Sequence, residues 1–464
     1  MSDYKAKDAE AGTQTYVQPI AGSGEATPPN EKVMQGEDEF EVFKRIEGAE
    51  DYRTVTWWKA AFIFLKVIFA TGVLSIPSSM VTLGAVPGAI MIAVGLGRFR
   101  EKHAGCHTVA DMAHHVWGAW FRELVGALYL IAYVLCAGTG VIGSSIALNS
   151  LSDHATCTVV FSVVCTVIIA IMASFPKFHQ IGWLTWAGFF SIFIAVFIVV
   201  VGVTTYDRPY AAPAGVTDIG FYAITPVAPA FAAGVAACVT IFVSSAGTSA
   251  FIPVISEMKR PQDYRKALYT CMGFVTAVYL AFALVVYKWC GRYVASPSLG
   301  SAGPTLEKVA YGVGLLGLLA SGMIYVHVGA KYLFVRLLRD SRHLQEKTVQ
   351  HWVIWLSCSI GLSLLAFVLA SAIPIFNYLV ALVGSICFCP LALMFPAILH
   401  FYDNWNDIKT GSVMQKAEWV LNMILLVLGA FLCVSGTYGV ILLIQQAYAS
   451  GAIGGAFSCA DNAV

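Results

Sequence analysis

Between residues 57 and 445 the sequence is a succession of apolar runs, most of them near the ~20 residues that a ~30 Å hydrocarbon core demands of a helix. They cover roughly 57–80, 83–97, 124–151, 157–175, 181–203, 226–255, 268–287, 309–335, 352–373, 376–400 and 417–445, which makes eleven. In lipid every backbone N–H and C=O needs a partner inside the protein, so such a chain is restricted to helices or a closed barrel, and runs of this length select helices. The expected fold class is an all-α polytopic membrane protein. A content of 58% hydrophobic and 12% charged residues agrees, being far from soluble globular usage.

The placement of charge divides the chain. Twelve of the 27 acidic residues fall between Asp3 and Asp51, and the other fifteen sit at or near the ends of apolar runs, so no carboxylate is expected in mid-membrane. Residues 1–55, rich in Glu, Asp, Thr, Pro and Gly, have too little apolar surface to offset the entropy of ordering and read as a disordered cytoplasmic tail. They lack the apolar core of a signal peptide. Residues 56–448 are expected to form the transmembrane domain, and 449–464 a short external tail. With the amino terminus inside, inner loops carry Arg98, Arg100, Lys102, Arg122, Lys177, Lys259, Arg260, Arg265, Lys266, Arg336, Arg339, Arg342, Lys347, Lys409 and Lys416. Outer loops carry only Arg208, Lys288, Arg292 and Lys308, so the positive-inside bias supports that orientation. Basic residues spread along loops in this way make no stripe for nucleic acid, which is excluded as a partner.

The second run is anomalous. In LGAVPGAIMIAVGLG, four glycines and Pro87 weaken the helix, and the part beyond Pro87 spans only about 15 Å. A shortened second span is expected around 83–97, ending short of full depth or in a strained connection near Gly95 to Arg98.

Two other runs contain deliberate breaks. FLKVIFATGVLSIPSSM (64–80) places a glycine and a proline in the first run; TIFVSSAGTSAFIP (240–253) places Ser244, Ser245, Gly247, Thr248 and Ser249 in the sixth. These runs open two halves of five spans each, and paired breaks at matching positions point to an inverted-repeat transporter with its site at the breaks. Exposed helix ends offer N–H groups to an anion and C=O groups to an ammonium, and an α-amino acid presents both. At Gly72 the missing side chain would let substrate approach the backbone.

The stretches LKVIFATGVLSIP, GCHTVADMAH, IGWLTWAG, IFVSSAGTSAF, ISEMKRPQDYRKALY and AIPIFNYL resemble the amino acid/auxin permease family, in particular fungal neutral amino acid permeases. The similarity runs from about Trp57 to Gly451. It implies a broken-helix 5+5 inverted-repeat fold with one extra span, and proton-coupled uptake of neutral amino acids, aliphatic and aromatic, at the plasma membrane. Implied substrate contacts are Ala70, Thr71, Gly72 and Val73 in the first break, and Phe242, Ser244, Ser245, Gly247 and Thr248 in the second. Tyr133 and Tyr325, in the third and eighth runs, are candidate walls of the side-chain pocket; packing is the competing role. The second span is longer in the family, so a transport-defective or receptor-like amino-acid-binding protein is the alternative, as is a sodium-coupled carrier.

Lys66 and His327 are the candidate proton-coupling pair. A charge within the membrane costs at least ~2.5 kcal/mol and signals function by default. Nine residues separate Lys66 from Trp57, and nine separate His327 from Arg336, so both lie about 13–14 Å above the inner boundary and contact is possible. A snorkelling lysine and a histidine satisfied by a carbonyl are the bland alternatives.

Other constellations carry less. GTGVIG (138–143) satisfies a dinucleotide fingerprint but lies inside an apolar run with no preceding strand; a small-residue face for close helix packing accounts for it. His103, Cys106, His107, His114 and His115 match no standard zinc spacing, so no metal is expected. Most of the twelve cysteines are mid-span, where thiols serve as small apolar groups; Cys387 and Cys389 read as packing. Cys157 and Cys290 both fall on the outer side, where a disulfide is possible. No nucleophile with its base and no carboxylate pair appears at consistent depth, so neither an enzyme nor an organic cofactor is expected.

Overall fold

Ten of the eleven apolar runs coincide with helices in the computed structural model, which describes residues 53–69, 72–83, 108–213, 215–216, 218–226, 229–339, 341–344, 346, 348–451 and 455–462. The second run lies outside the described residues, with the connection at Gly95 to Arg98 and with His103, Cys106 and His107. The first run becomes α1 (Trp57–Ile68) and α2 (Ile76–Leu83) on either side of a break. A short α3 (Val109–Trp117) precedes the long α4 (Ala119–Ser152), then α5 (Thr158–Ala173) and α6 (Phe178–Thr205). The sixth run is split into α7 (Phe231–Val243) and α8 (Phe251–Ser256). There follow α9 (Tyr264–Cys290), α10 (Pro304–Leu338) and α11 (Val349–Ala372). The tenth run is α12 (Phe376–Val383), a π-helical stretch Gly384–Met394 and α13 (Phe395–Asn404); α14 (Asp407–Thr410) leads to α15 (Val413–Ala449). Among the described residues eight spans are long and apolar enough to cross a bilayer, the first counted as Trp57–Leu74, while Thr158–Ala173 and Phe231–Val243 are shorter apolar helices.

Local chemistry sets several boundaries. Thr108 and Asp111 cap α3 reciprocally, the Thr108 hydroxyl accepting the Asp111 N–H and the Asp111 carboxylate accepting the Thr108 N–H. Ser412 and Gln415 do the same for α15. Gly118, at φ +78°, makes the turn from α3 into α4 in a region that side chains rarely adopt. Pro304 opens α10, where its missing N–H is not needed.

The helices pack in two groups. The split helices α1/α2 and α7/α8 gather with α9, while α10 lies along α4, α5 and α11; α6 bridges, touching α1, α9 and α10. The tightest seams run beside α10. A Cβ on Gly140 of α4 would stand 2.7 Å from the Gly322 Cα, and one on Gly317 would stand 2.3 Å from Ile192 of α6. GTGVIG is therefore at a helix seam, its Gly140 packed against the α10 backbone. Gly140→Val should cost at least the ~1–3 kcal/mol typical of overpacking, read as a lower melting temperature and a smaller monodisperse fraction in detergent. Unaltered melting would count against this seam. Outward faces stay apolar, with Ile171 63%, Phe197 62% and Val434 74% exposed, as a lipid solvent requires.

Two stretches assigned to tails are docked. Val55 makes an isolated parallel bridge with Met258, its N–H donating to the Glu257 carbonyl and its carbonyl accepting the Lys259 N–H, and Arg53 is buried nearby. At the other end of the chain, Cys459 is disulfide-bonded to Cys157, while Cys290 is a free, buried thiol, which corrects the Cys157–Cys290 pairing considered from sequence. Cys290 ends α9 inside the core, facing Ser301, and Cys157 sits at the start of α5 where the tail crosses. Thr158 donates to the Ala460 carbonyl, and Asn462 lies between Ser145 and Asn149.

Candidate functional site

The two breaks meet. α1 ends at Ile68, a 3-10 turn (Gly72–Leu74) follows, and α2 restarts with Pro77 in its first turn. α7 ends at Val243, a 3-10 turn (Gly247–Ala250) follows, and α8 restarts with Pro253 in its first turn. In both, a proline sits where a helix needs no N–H from it, and glycine or serine occupies the irregular turn. Ser75 satisfies the break locally by donating to the Gly72 carbonyl at 2.8 Å, and the Ser244 hydroxyl lies 3.1 Å from the same oxygen and 2.8 Å from the Thr240 carbonyl. Gly72 is dictated by that contact: a Cβ there would lie 2.8 Å from the Ser244 Cα, so the residue lets break meet break. The contact is a packing reason for glycine here, beside the substrate approach expected from sequence, since Gly72 also lines the cavity between the breaks.

The carbonyls freed at the end of α1 are met by tyrosines from other helices. Tyr325 of α10 donates to Val67 O at 3.1 Å. The Tyr279 hydroxyl of α9 lies 2.6 Å from Ile68 O and 3.1 Å from Ser244 O, touching both breaks. Tyr279 was not singled out in the sequence, where it is one of twenty tyrosines and lies in an unbroken run.

Between the breaks lies a cavity with about 30 Å³ open to the centre of a water-sized molecule, and about 420 Å³ when its crevices and mouth are counted. Val67, Ile68, Gly72, Ser244 and Gly247 form its broken-helix side. Cys136 and Thr139 of α4, Tyr325, Val380 and Val383 of α12, and Phe388 of the π-helical stretch close the rest, with Val243 at the α7 end. Among the described residues no acidic or basic side chain lines it. Of the expected contacts, Gly72, Ser244, Gly247 and Tyr325 are at the cavity. Ala70 and Thr71 lie outside the described residues, as does the Thr248 side chain. Val73 is buried in the apolar core, Phe242 packs towards Val235 and Val239, and Ser245 is half-buried; these three are not among the lining residues. Tyr133 stands behind the wall, its hydroxyl 2.8 Å from the Ser249 hydroxyl and its ring 6.1 Å from Phe388.

Lys66 and His327 are not brought together. The Lys66 ammonium is fully buried and donates to Gly317 O at 2.8 Å and to Ser321 Oγ at 2.7 Å. Its stem passes Gly188 of α6, whose missing side chain leaves that room. Ser191 of α6 also enters the α10 backbone here, accepting the Gly317 N–H and donating to Val313 O. His327, six residues further along α10, faces the other way, its ring 5.1 Å from Trp355 of α11 and beside the Ala173 and Phe175 backbone. Equal depth counted along two helices gave no azimuth, and six residues turn a helix by about 240°.

A buried charge pair elsewhere went unremarked in the sequence. Lys331 Nζ and Glu257 Oε1 are 2.7 Å apart at 0% and 1% side-chain exposure, and Lys331 also donates to Pro176 O at 2.9 Å. Among the described residues Glu257 is the one buried carboxylate. SEMKRPQ reads as a loop acid beside bases, which hid it.

Comparison with known proteins agrees with this architecture. Residues 53–442 match the family model described as transmembrane amino acid transporter protein. A "Transmembrane transporter" of Gibberella moniliformis is 47% identical over 434 residues, covering 91% of each chain. The "N amino acid transport system protein" of Neurospora crassa is 28% identical, over 90% of this chain and 91% of its own. Among solved structures, a Na+-coupled sialic acid symporter in a substrate-bound outward-open state superposes with a TM-score of 0.51 at 11% identity, over 86% of this chain and 91% of that one, a likeness of fold. Two split helices meeting at a cavity and a family match over most of the length lead to one assignment: the chain belongs to the transmembrane amino acid transporter family.

Proposed function

We propose that the protein imports neutral amino acids, aliphatic and aromatic, by proton symport across the plasma membrane, with its amino terminus in the cytoplasm. The observation that carries this reading is the cavity between the breaks. Helix ends supply dipoles of both signs for a zwitterion's carboxylate and ammonium, and the remaining wall is Val380, Val383, Phe388 and Cys136, suited to an uncharged side chain. A substrate with a net charge would meet no counter-charge there. The void is small for an amino acid, so entry requires its walls to move apart.

Lys66 supports the proton over sodium. Its ammonium already donates to a carbonyl and a hydroxyl between α1 and α10, where a metal cation would otherwise need those oxygens. Ser321 makes both protonation states tenable: its hydroxyl donates to Gly317 O when Lys66 is charged, and can donate to the amine nitrogen when it is neutral. His327 is retained as a second proton-site candidate, without contact to Lys66. The Cys157–Cys459 disulfide favours an oxidising compartment at the far end from Trp57, in keeping with the loop charges.

Reconstitution tests the reading directly. Proteoliposomes with an acid exterior should accumulate radiolabelled neutral amino acids, collapse of the gradient should abolish accumulation, and external sodium should not replace protons. Substrate binding without uptake would establish the receptor-like alternative, and sodium-dependent accumulation the sodium-coupled one.

A further inference from the structure

The buried pair Glu257–Lys331 joins parts of the molecule that the breaks leave separable. Glu257 follows α8, the second half of the sixth-run helix. Its backbone is stitched to Val55, just ahead of α1, by the N–H and C=O bonds on either side of Met258. The half-helices α1 and α8, one from each break, are thus tied together at the Trp57 end. The Glu257 carboxylate then fastens the tied pair to Lys331 of α10, and Lys331 reaches on to Pro176 in the α5–α6 connection. The Trp355 ring lies 5.9 Å from the ammonium, and Lys177 and His327 are its other charged or titratable neighbours. Exposed pairs elsewhere at this end, Arg336 with Glu123 and Arg339 with Asp111, are 38–50% exposed on all but the Asp111 side, and solvent weakens them. The buried pair is not so screened.

We propose that Glu257 and Lys331 are positioning residues for transport, the latch that holds the Trp57 end of the substrate path shut. The proposal rests on the reading that substrate sits between the breaks. Ten residues separate Gly247 from Glu257, which places the latch about 15 Å beyond the cavity through the 3-10 turn and α8. While the pair is closed, α1 and α8 cannot tilt away from α10 without parting two charges in a dry interior. Once parted, each charge needs water, so hydration of this end and opening of the path become one event. Removing one charge leaves the other favouring the hydrated, open state.

The test uses the reconstituted full chain carrying Val254→Cys, since Val254 in α8 is wholly buried in the closed arrangement. Labelling by a hydrophilic methanethiosulfonate is measured per folded molecule, with the reaction of the native thiols, measured without Val254→Cys, subtracted. Added Glu257→Gln or Lys331→Met should raise labelling by about tenfold or more, the scale on which a ~1.4 kcal/mol shift moves a two-state population. The reversed pair Glu257→Lys with Lys331→Glu should return it towards the starting level. A merely structural pair would lower the folded yield and leave labelling per folded molecule unchanged, which overturns the latch. Labelling that stays high in the reversed pair overturns it too. Should the single variants fail to fold, Glu257→Asp, which keeps the charge but shortens its reach, is read by the same criterion. Labelling needs no substrate, so a latch response combined with no effect of neutral amino acids would sink the site reading and leave the latch standing.

Discussion

Gly72→Val is expected to abolish most transport. The valine would have to share space with the Ser244 backbone, 2.8 Å from where its Cβ must stand, so the two breaks are forced apart at the cavity they enclose. Overpacking costs ~1–3 kcal/mol, which corresponds to about a 5- to 150-fold loss in the population of the intact site. Uptake should fall in that range at matched surface expression, with Gly72→Ala intermediate because alanine adds the colliding Cβ without valine's branches. The Ser244 hydroxyl moves away from Gly72 O in the same event and keeps the Thr240 carbonyl as its acceptor. Wild-type uptake by Gly72→Val at normal expression would remove the breaks from the transport site.

Lys66→Met separates coupling from binding. Methionine fills nearly the same channel past Gly188 but cannot carry a proton or donate to Gly317 O and Ser321 Oγ. Substrate affinity, measured by equilibrium binding, should change less than about threefold, because the cavity lining does not include this side chain. Accumulation against a gradient should vanish, leaving equilibrating exchange. Persistence of pH-driven accumulation in Lys66→Met would transfer the coupling role elsewhere, and His327→Gln then becomes the comparison to make.

Much of this architecture was written locally in the sequence. Apolar run length placed ten helices, because membrane spanning is a one-dimensional constraint. The breaks were visible because Gly72, Pro77, Gly247 and Pro253 stand out against apolar surroundings that otherwise favour unbroken helix. What escaped was relative rotation. Counting residues placed Lys66 and His327 at one depth, yet α10 turns Ser321 towards α1 and His327 towards Trp355. Glu257 escaped because interface acids and buried acids have the same spelling; only the docking of Val55 and Lys331 distinguishes them. Phe388 was illegible for a related reason: it belongs to an eleven-residue π-helical stretch containing Pro390, whose wider turn shifts side chains away from the positions an ordinary helix count assigns.

The bond between Cys157 and Cys459 spans 302 positions of sequence. It converts everything from α5 to α15 into a covalent ring, with the segment through α4 left as an open arm and the five residues after Cys459 as a short one. Cutting the backbone once anywhere on that ring, in the loop after α6 or the one before α11, leaves a single covalent molecule until a thiol reductant is added. The ring also cannot close until its last helix has been threaded, so oxidation at this site reports that the whole membrane domain has been laid down.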